Sequence, residues 1–93
     1  MTGLTVESKV KISEDVLFQE LQGDAVLLDL KSGVYFGLDQ VGTRIWQLMG
    51  ERQPLSAVIG AVVGEFDVTE ERCAEDVLTL AGKLADNGLL ITE

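Results

Sequence analysis

Six carboxylates, Glu65, Asp67, Glu70, Glu71, Glu75 and Asp76, crowd into twelve residues with Arg72 as the one base among them. Such a cluster could hold a cation or dock a basic peptide. A calcium loop of the EF-hand type needs alternating acids around a central glycine, and the segment lacks that pattern. Glu70 and Glu71 suit the positive end of a helix dipole, while Asp76 borders an apolar stripe beside Leu80. Cys73 lies on that stripe with no activating neighbour in sequence, so it reads as a buried, inert thiol. Histidine is absent from the chain. That removes Ser-His-Asp and Cys-His nucleophiles, histidine-bearing zinc sites and any imidazole base. Gly23, Gly33, Gly37 and Gly42 form no phosphate loop, because no lysine follows a glycine run. Trp46, the sole tryptophan, reads as core packing against a sheet. No enzyme site, metal or cofactor is expected; binding is.

Sixteen acids against seven bases leave a net charge of −9, which repels nucleic-acid phosphates and anionic lipid heads and favours cationic or neutral partners. A single cysteine excludes an intramolecular disulfide and suits a reducing compartment. The amino terminus lacks the basic-then-apolar pattern of a signal peptide. The longest apolar stretch, Leu55 to Gly64, is about half of the ~20 residues a membrane helix needs. A cytoplasmic protein is expected, with its 93 residues forming one domain and residues 1–14 an extended arm or added strand.

Strand signals fill residues 1–38 and helix signals the remainder. Val16 to Leu21, Ala25 to Leu30 and Val34 to Leu38 are β-rich runs joined by short glycine-bearing spacers, as in hairpins. Alternation places Val26, Leu28 and Leu30 on one face of the second run, and Val34, Phe36 and Leu38 on one face of the third. Together they suggest an antiparallel meander with a single apolar side. Asp39 suits the N-cap of a helix running to about Met49, with Gly50 just past its end. Pro54 suits the first turn of a second helix, whose buried stripe is Leu55, Val58, Ile59, Val62, Val63 and Phe66. Ala57, Gly60, Ala61 and Gly64 give that helix a small-residue face suited to tight helix packing. The third helix begins near Asp67 or Thr69, where Asp67 and Glu70 have capping-box spacing, and ends at Asn87-Gly88. Cys73, Val77, Leu80 and Leu84 form its apolar stripe, flanked by Ala74, Leu78, Ala81 and Ala85. That arc spans roughly 160°, wider than the ~100° that suffices against a core, which leaves apolar surface for another element or a partner. The order predicts an α+β, winged-helix-like domain, a three-stranded antiparallel sheet followed by three helices. An open sheet edge beside the wide helix would let an extended peptide gain main-chain hydrogen bonds from one wall and side-chain pockets from the other.

The run Leu28-Asp29-Leu30-Lys31-Ser32-Gly33-Val34-Tyr35-Phe36-Gly37-Leu38, then Gly42, Ile45-Trp46, Asp76-Val77 and Leu80 through Leu84 to Gly88-Leu89-Leu90, resembles the PqqD-like family. Within it the chain looks closer to the small stand-alone proteins of lasso-peptide biosynthesis than to the protein of pyrroloquinoline quinone synthesis. It lacks the latter's proline-bearing turn between strands and its Asp-Gly after the first helix. The resemblance implies a non-catalytic recognition element for ribosomally made, modified peptides. Such an element binds the leader of a precursor peptide as a strand added to the sheet and presents the precursor to a cysteine peptidase or another modifying enzyme. Carried over, the strand wall is Val34, Tyr35, Phe36, Gly37 and Leu38. The helix wall is drawn from Arg72, Cys73, Asp76, Val77, Leu80 and Leu84. A peptide chaperone of the quinone pathway is the nearest alternative. From other classes come a winged-helix nucleic-acid binder, which the scattered bases disfavour, and a dimerisation module using the small-residue face.

Overall fold

Leu21 and Asp24 close a two-residue turn in which Gln22 and Gly23 both take positive φ, 57° and 92°. This is the turn whose twist matches a right-handed hairpin, and it fixes the register of the two strands it joins. In the computed structural model, which describes residues 4–92, these strands are β2 (Val16–Leu21) and β3 (Asp24–Asp29). The next connection is organised by Asp29, only 6% exposed. Its carboxylate accepts from the Lys31 amide at 3.2 Å and the Ser32 hydroxyl at 2.8 Å, and its carbonyl accepts from the Gly33 amide at 2.7 Å. Gly33, at φ 75°, then turns the chain into β4 (Tyr35–Leu38). The sheet order is β2-β3-β4, antiparallel throughout.

Three helices follow: α1 (Gln40–Met49), α2 (Leu55–Glu65) and α3 (Glu70–Asp86). Asp39 caps α1 by accepting from the Gly42 amide at 2.8 Å. Pro54 is the N-cap of α2 rather than part of its first turn. Thr69 caps α3 by accepting from the Arg72 amide at 3.2 Å, so the cap is Thr69 and not an Asp67–Glu70 box. Gly88, at φ 81°, ends α3 and turns the chain into β5 (Leu90–Thr92). The expected three-stranded antiparallel sheet followed by three helices is present, and the fold is α+β.

Three expectations are corrected. β1 (Val10–Ile12) does not extend the meander; it pairs antiparallel with β5 in a separate two-stranded sheet, Val10 opposite Thr92. The apolar tail after α3 is thus a strand. In β3 the core face carries Ala25, Leu27 and Asp29, while Val26 lies outward at 45% exposure. The reason is register: Leu27 stands opposite Phe36 and Ala25 opposite Leu38, so the inward side of β4 selects the odd-numbered residues of β3. Finally, on the small-residue face of α2 Ala61 packs against the core, but the two glycines take no part in close helix packing. Gly60 and Gly64 are exposed, and a Cβ at either would touch nothing within 4 Å.

The core is one contiguous cluster in which Leu27, Ile45, Trp46, Met49, Leu55, Val58, Val62, Val77, Leu84 and Leu89 are buried between sheet and helices. Each fully buried Leu or Val side chain contributes about 1.5–3 kcal/mol relative to exposure. Arg44 pins α1 to the end of α2 through a two-pronged pair with Glu65 at 2.8 and 3.1 Å. The Arg44 guanidinium, chiefly by hydrogen bonding, holds the Glu65 carboxyl below the usual carboxylate range. No helix among the described residues is long and apolar enough to cross a membrane.

Candidate functional site

In an antiparallel ladder, opposite residues alternate between pairs that exchange hydrogen bonds and pairs whose main-chain groups point away from each other. The Asp29 amide donates to the Val34 carbonyl at 3.0 Å, which makes that pair hydrogen-bonded. By the same alternation Leu27–Phe36 and Ala25–Leu38 are hydrogen-bonded, whereas Leu28–Tyr35 and Val26–Gly37 are not. The N–H and C=O groups of Tyr35 and Gly37 therefore point out of the sheet along the far margin of β4. Among the described residues no strand pairs with that margin. The segment before β1 runs elsewhere: Ser8 and Val6 accept from the Leu55 and Ser56 amides at the start of α2, and Lys9 bridges to Pro54.

The β4 margin borders a groove of about 560 Å³ lined by Gly37, Leu38, Asp39, Val41, Gly42, Ile45, Val68, Asp76 and Leu80. Three elements converge on it. β4 ends in Leu38, 7% exposed, which floors the groove. The first turns of α1 bring Val41, Gly42 and Ile45 alongside. Gly42 permits that approach, because a Cβ there would lie 3.2 Å from Asp39 Oδ1 and 3.5 Å from the Leu38 side chain. α3 supplies Leu80 and Asp76 from the opposite wall, and Val68 closes the end ahead of α3. The meander has a second free margin at β2, but this groove runs beside β4 only. Another hollow of about 570 Å³ lies around Lys11, Glu14, Asp15, Lys31 and Arg52. Charged groups of both signs line it beside Ile12 and Ile91, with Lys31 and Asp15 paired at 3.1 Å.

Of the residues expected to form the strand wall, Gly37 and Leu38 line the groove directly. Tyr35, 67% exposed, presents its side chain on the outer sheet face and its main chain at the margin. Phe36 is half-buried on the inner face, packed against the core. Val34 precedes β4 and is 43% exposed. On the helix wall Asp76 and Leu80 reach the groove, but Cys73, Val77 and Leu84 do not. These three are at most 3% exposed, belong to the core and lie outside the groove lining. The Cys73 thiol donates to the Ile59 carbonyl at 3.8 Å, and burial first, then the Asp76 charge, push its pKa up. It is a poor nucleophile. Arg72 is exposed and forms a loose pair with Asp76 at 3.6 Å, outside the groove lining. Asp39, Val41, Gly42, Ile45 and Val68 were missed as wall residues, although the short step from Leu38 to the Asp39 cap already forces α1 to start beside β4.

No group of three or more carboxylate or thiol side chains among the described residues is placed to hold a metal ion. The family model for coenzyme PQQ synthesis protein D (PqqD) matches residues 24–90, most of the chain. The chain belongs to the PqqD family. This PqqD-family chain is also similar to a solved structure described as TbiB1 in complex with the TbiA(beta) leader peptide. The two share 36% identity and a TM-score of 0.79, covering 86% of this chain and 93% of that one. A second structure, lasso peptide synthetase B1 complexed with the leader peptide, matches at 22% identity and a TM-score of 0.78 over 88% of this chain and 96% of that one, a likeness of fold. A search of curated proteins returns no match to the PqqD-family chain.

Proposed function

We propose that this protein captures the leader of a ribosomally made precursor peptide as a fourth strand along β4, in a pathway of the lasso-peptide kind. The observation that carries the reading is the open β4 margin beside an apolar groove walled by α1 and α3. Backbone pairing with Tyr35 and Gly37 supplies affinity that tolerates varied sequences, and the groove over Leu38, Ile45 and Leu80 takes an apolar side chain. The 36%-identical structure holding a leader peptide supports the same reading. So does the resemblance to stand-alone recognition elements, which work by handing a bound precursor to a cysteine peptidase or another modifying enzyme. The side chains that line the groove are mostly apolar, which suits binding and presentation of a peptide.

Amide hydrogen exchange tests this reading. In the free protein the Tyr35 and Gly37 amides are expected to exchange quickly, since neither is paired across the ladder. Addition of the TbiA(beta) leader, or of peptides selected from a random displayed library, is expected to slow both while leaving Phe36 and Leu38 nearly unchanged. Saturable binding that leaves Tyr35 and Gly37 unprotected would refute strand addition at β4.

A further inference from the structure

Antiparallel sheets covered on one side usually turn polar residues to water on the other. Here the outer face breaks that pattern. Four of the nine large apolar side chains exposed among the described residues, Leu17, Leu21, Val26 and Tyr35, lie on the outward positions of the three strands. The register arranges the centre of this face into two cross-strand rows. One runs Leu17–Leu28–Tyr35, the other Gln19–Val26–Gly37. Neither row contains an Asp, Glu, Lys or Arg.

Both rows end on β4, at the two residues whose main-chain groups face the free margin. A strand added there places one residue directly opposite Tyr35 and another, two positions away, opposite Gly37. Side chains of directly opposed residues share a face, so both project outward and prolong the two rows. The residue between them projects inward, toward the groove over Leu38, Ile45 and Leu80. At the end of one row stands the Tyr35 ring, 67% exposed. At the end of the other, a Cβ on Gly37 would meet nothing within 4 Å. Bare backbone therefore lies open next to Val26, a gap that a large flat side chain on the facing strand covers well.

We infer that a peptide held along β4 is read on both sides of its strand, with an inward apolar residue in the groove and outward apolar or aromatic residues seated against Tyr35 and over Gly37. The inference rests on the strand-addition reading above and adds the ligand's pattern: three consecutive apolar residues, at least one outer member aromatic. Charged residues are disfavoured at the outer positions, because they would abut uncharged rows and lose water for nothing in return.

Selection from a random peptide display library against the wild type, Tyr35→Thr, Gly37→Val and Leu80→Asp tests the pattern, with circular dichroism to check each fold. The Tyr35 side chain and a Cβ added at Gly37 lie on the outer face, away from the core, so both variants are expected to fold as the wild type does. The wild type is expected to enrich the apolar triplet. Tyr35→Thr is expected to weaken those peptides about two- to fivefold and to erase the preference at one outer position while the inward preference persists. Gly37→Val is expected to shift the other outer position from aromatic to smaller side chains. Random or charged residues at both outer positions, or a selection indifferent to Tyr35→Thr and Gly37→Val, would overturn the two-sided readout. If binding in that case were still lost in Leu80→Asp, the groove reading would stand without it. Enrichment of no peptide by the wild type would overturn both.

Discussion

Val77 and Leu80 sit three residues apart on α3, yet Val77 is fully buried against the core and Leu80 stands at the lip of the groove beside β4. One helix thus divides its apolar arc between holding the fold and lining the site. The division separates two kinds of variant. Leu80→Asp is expected to keep the fold and abolish peptide binding measured by fluorescence polarisation. Leu84→Ala, one turn further on and fully buried, is expected to cost about 2–5 kcal/mol of stability in chemical denaturation while the folded protein binds peptide normally. Unchanged affinity in Leu80→Asp would remove α3 from the site.

Gly42 and Gly60 both lie in helices but in opposite circumstances. A Cβ at Gly60 meets open space, so Gly60→Ala is expected to stabilise the protein by about 0.5–1 kcal/mol through helix propensity alone. A Cβ at Gly42 crowds Asp39 Oδ1 and the Leu38 side chain, so Gly42→Ala is expected to destabilise despite the same propensity gain. Thermal melts of the two variants should move in opposite directions. A loss of stability in Gly60→Ala would mean that the small-residue face of α2 is packed against something in solution, as a dimerisation module requires, and sedimentation would identify it.

The elements were legible because their ends carry local chemistry. Asp39 and Thr69 cap helices, Gly23, Gly33 and Gly88 take positive φ, and Pro54 precedes α2. What local pattern could not decide was facing. In β3 both Ala25–Leu27 and Val26–Leu28 are apolar pairs, so alternation alone leaves the inner face open. The choice is made by the Asp29-centred turn, which sets Leu27 opposite Phe36. On α3 the helical period marks a wide apolar arc but not which part of it meets α2 and which the groove. The resemblance draws Cys73, Val77 and Leu84 into the wall along with the rest of that arc, whereas of the α3 residues only Asp76 and Leu80 line the groove. The β1–β5 pairing joins the two ends of the chain, and no short-range signal announces such a contact.

Asp76 is exposed at the groove wall, held loosely by Arg72 at 3.6 Å. Its charge adds to a chain of net charge −9, so a basic peptide is drawn toward this end of the groove before contact. Asp76→Lys is expected to slow association with basic peptides and to flatten the dependence of the rate on salt, with dissociation less affected. Stopped-flow rates indifferent to both the substitution and added salt would show that the acidic surface plays no part in capture.

The Arg44–Glu65 pair links the groove helix α1 to α2, and its strength follows the protonation of Glu65. Hydrogen bonding from Arg44 lowers the carboxyl below its ordinary 4.5, against a smaller opposing effect of burial, with the Arg44 charge adding to the lowering. A folded value below the unfolded one means that stabilisation is fully present above about 4.5 and is lost as pH falls through the lower folded value. Both side chains are well exposed, so screening by solvent and salt keeps the effect small. Arg44→Gln is expected to lower the denaturation midpoint slightly at neutral pH, and the difference from wild type should vanish once Glu65 is protonated in both states. A difference that persists undiminished in strong acid would assign the role of Arg44 to its packing and its 3.3 Å contact with Gln47 rather than to the ion pair.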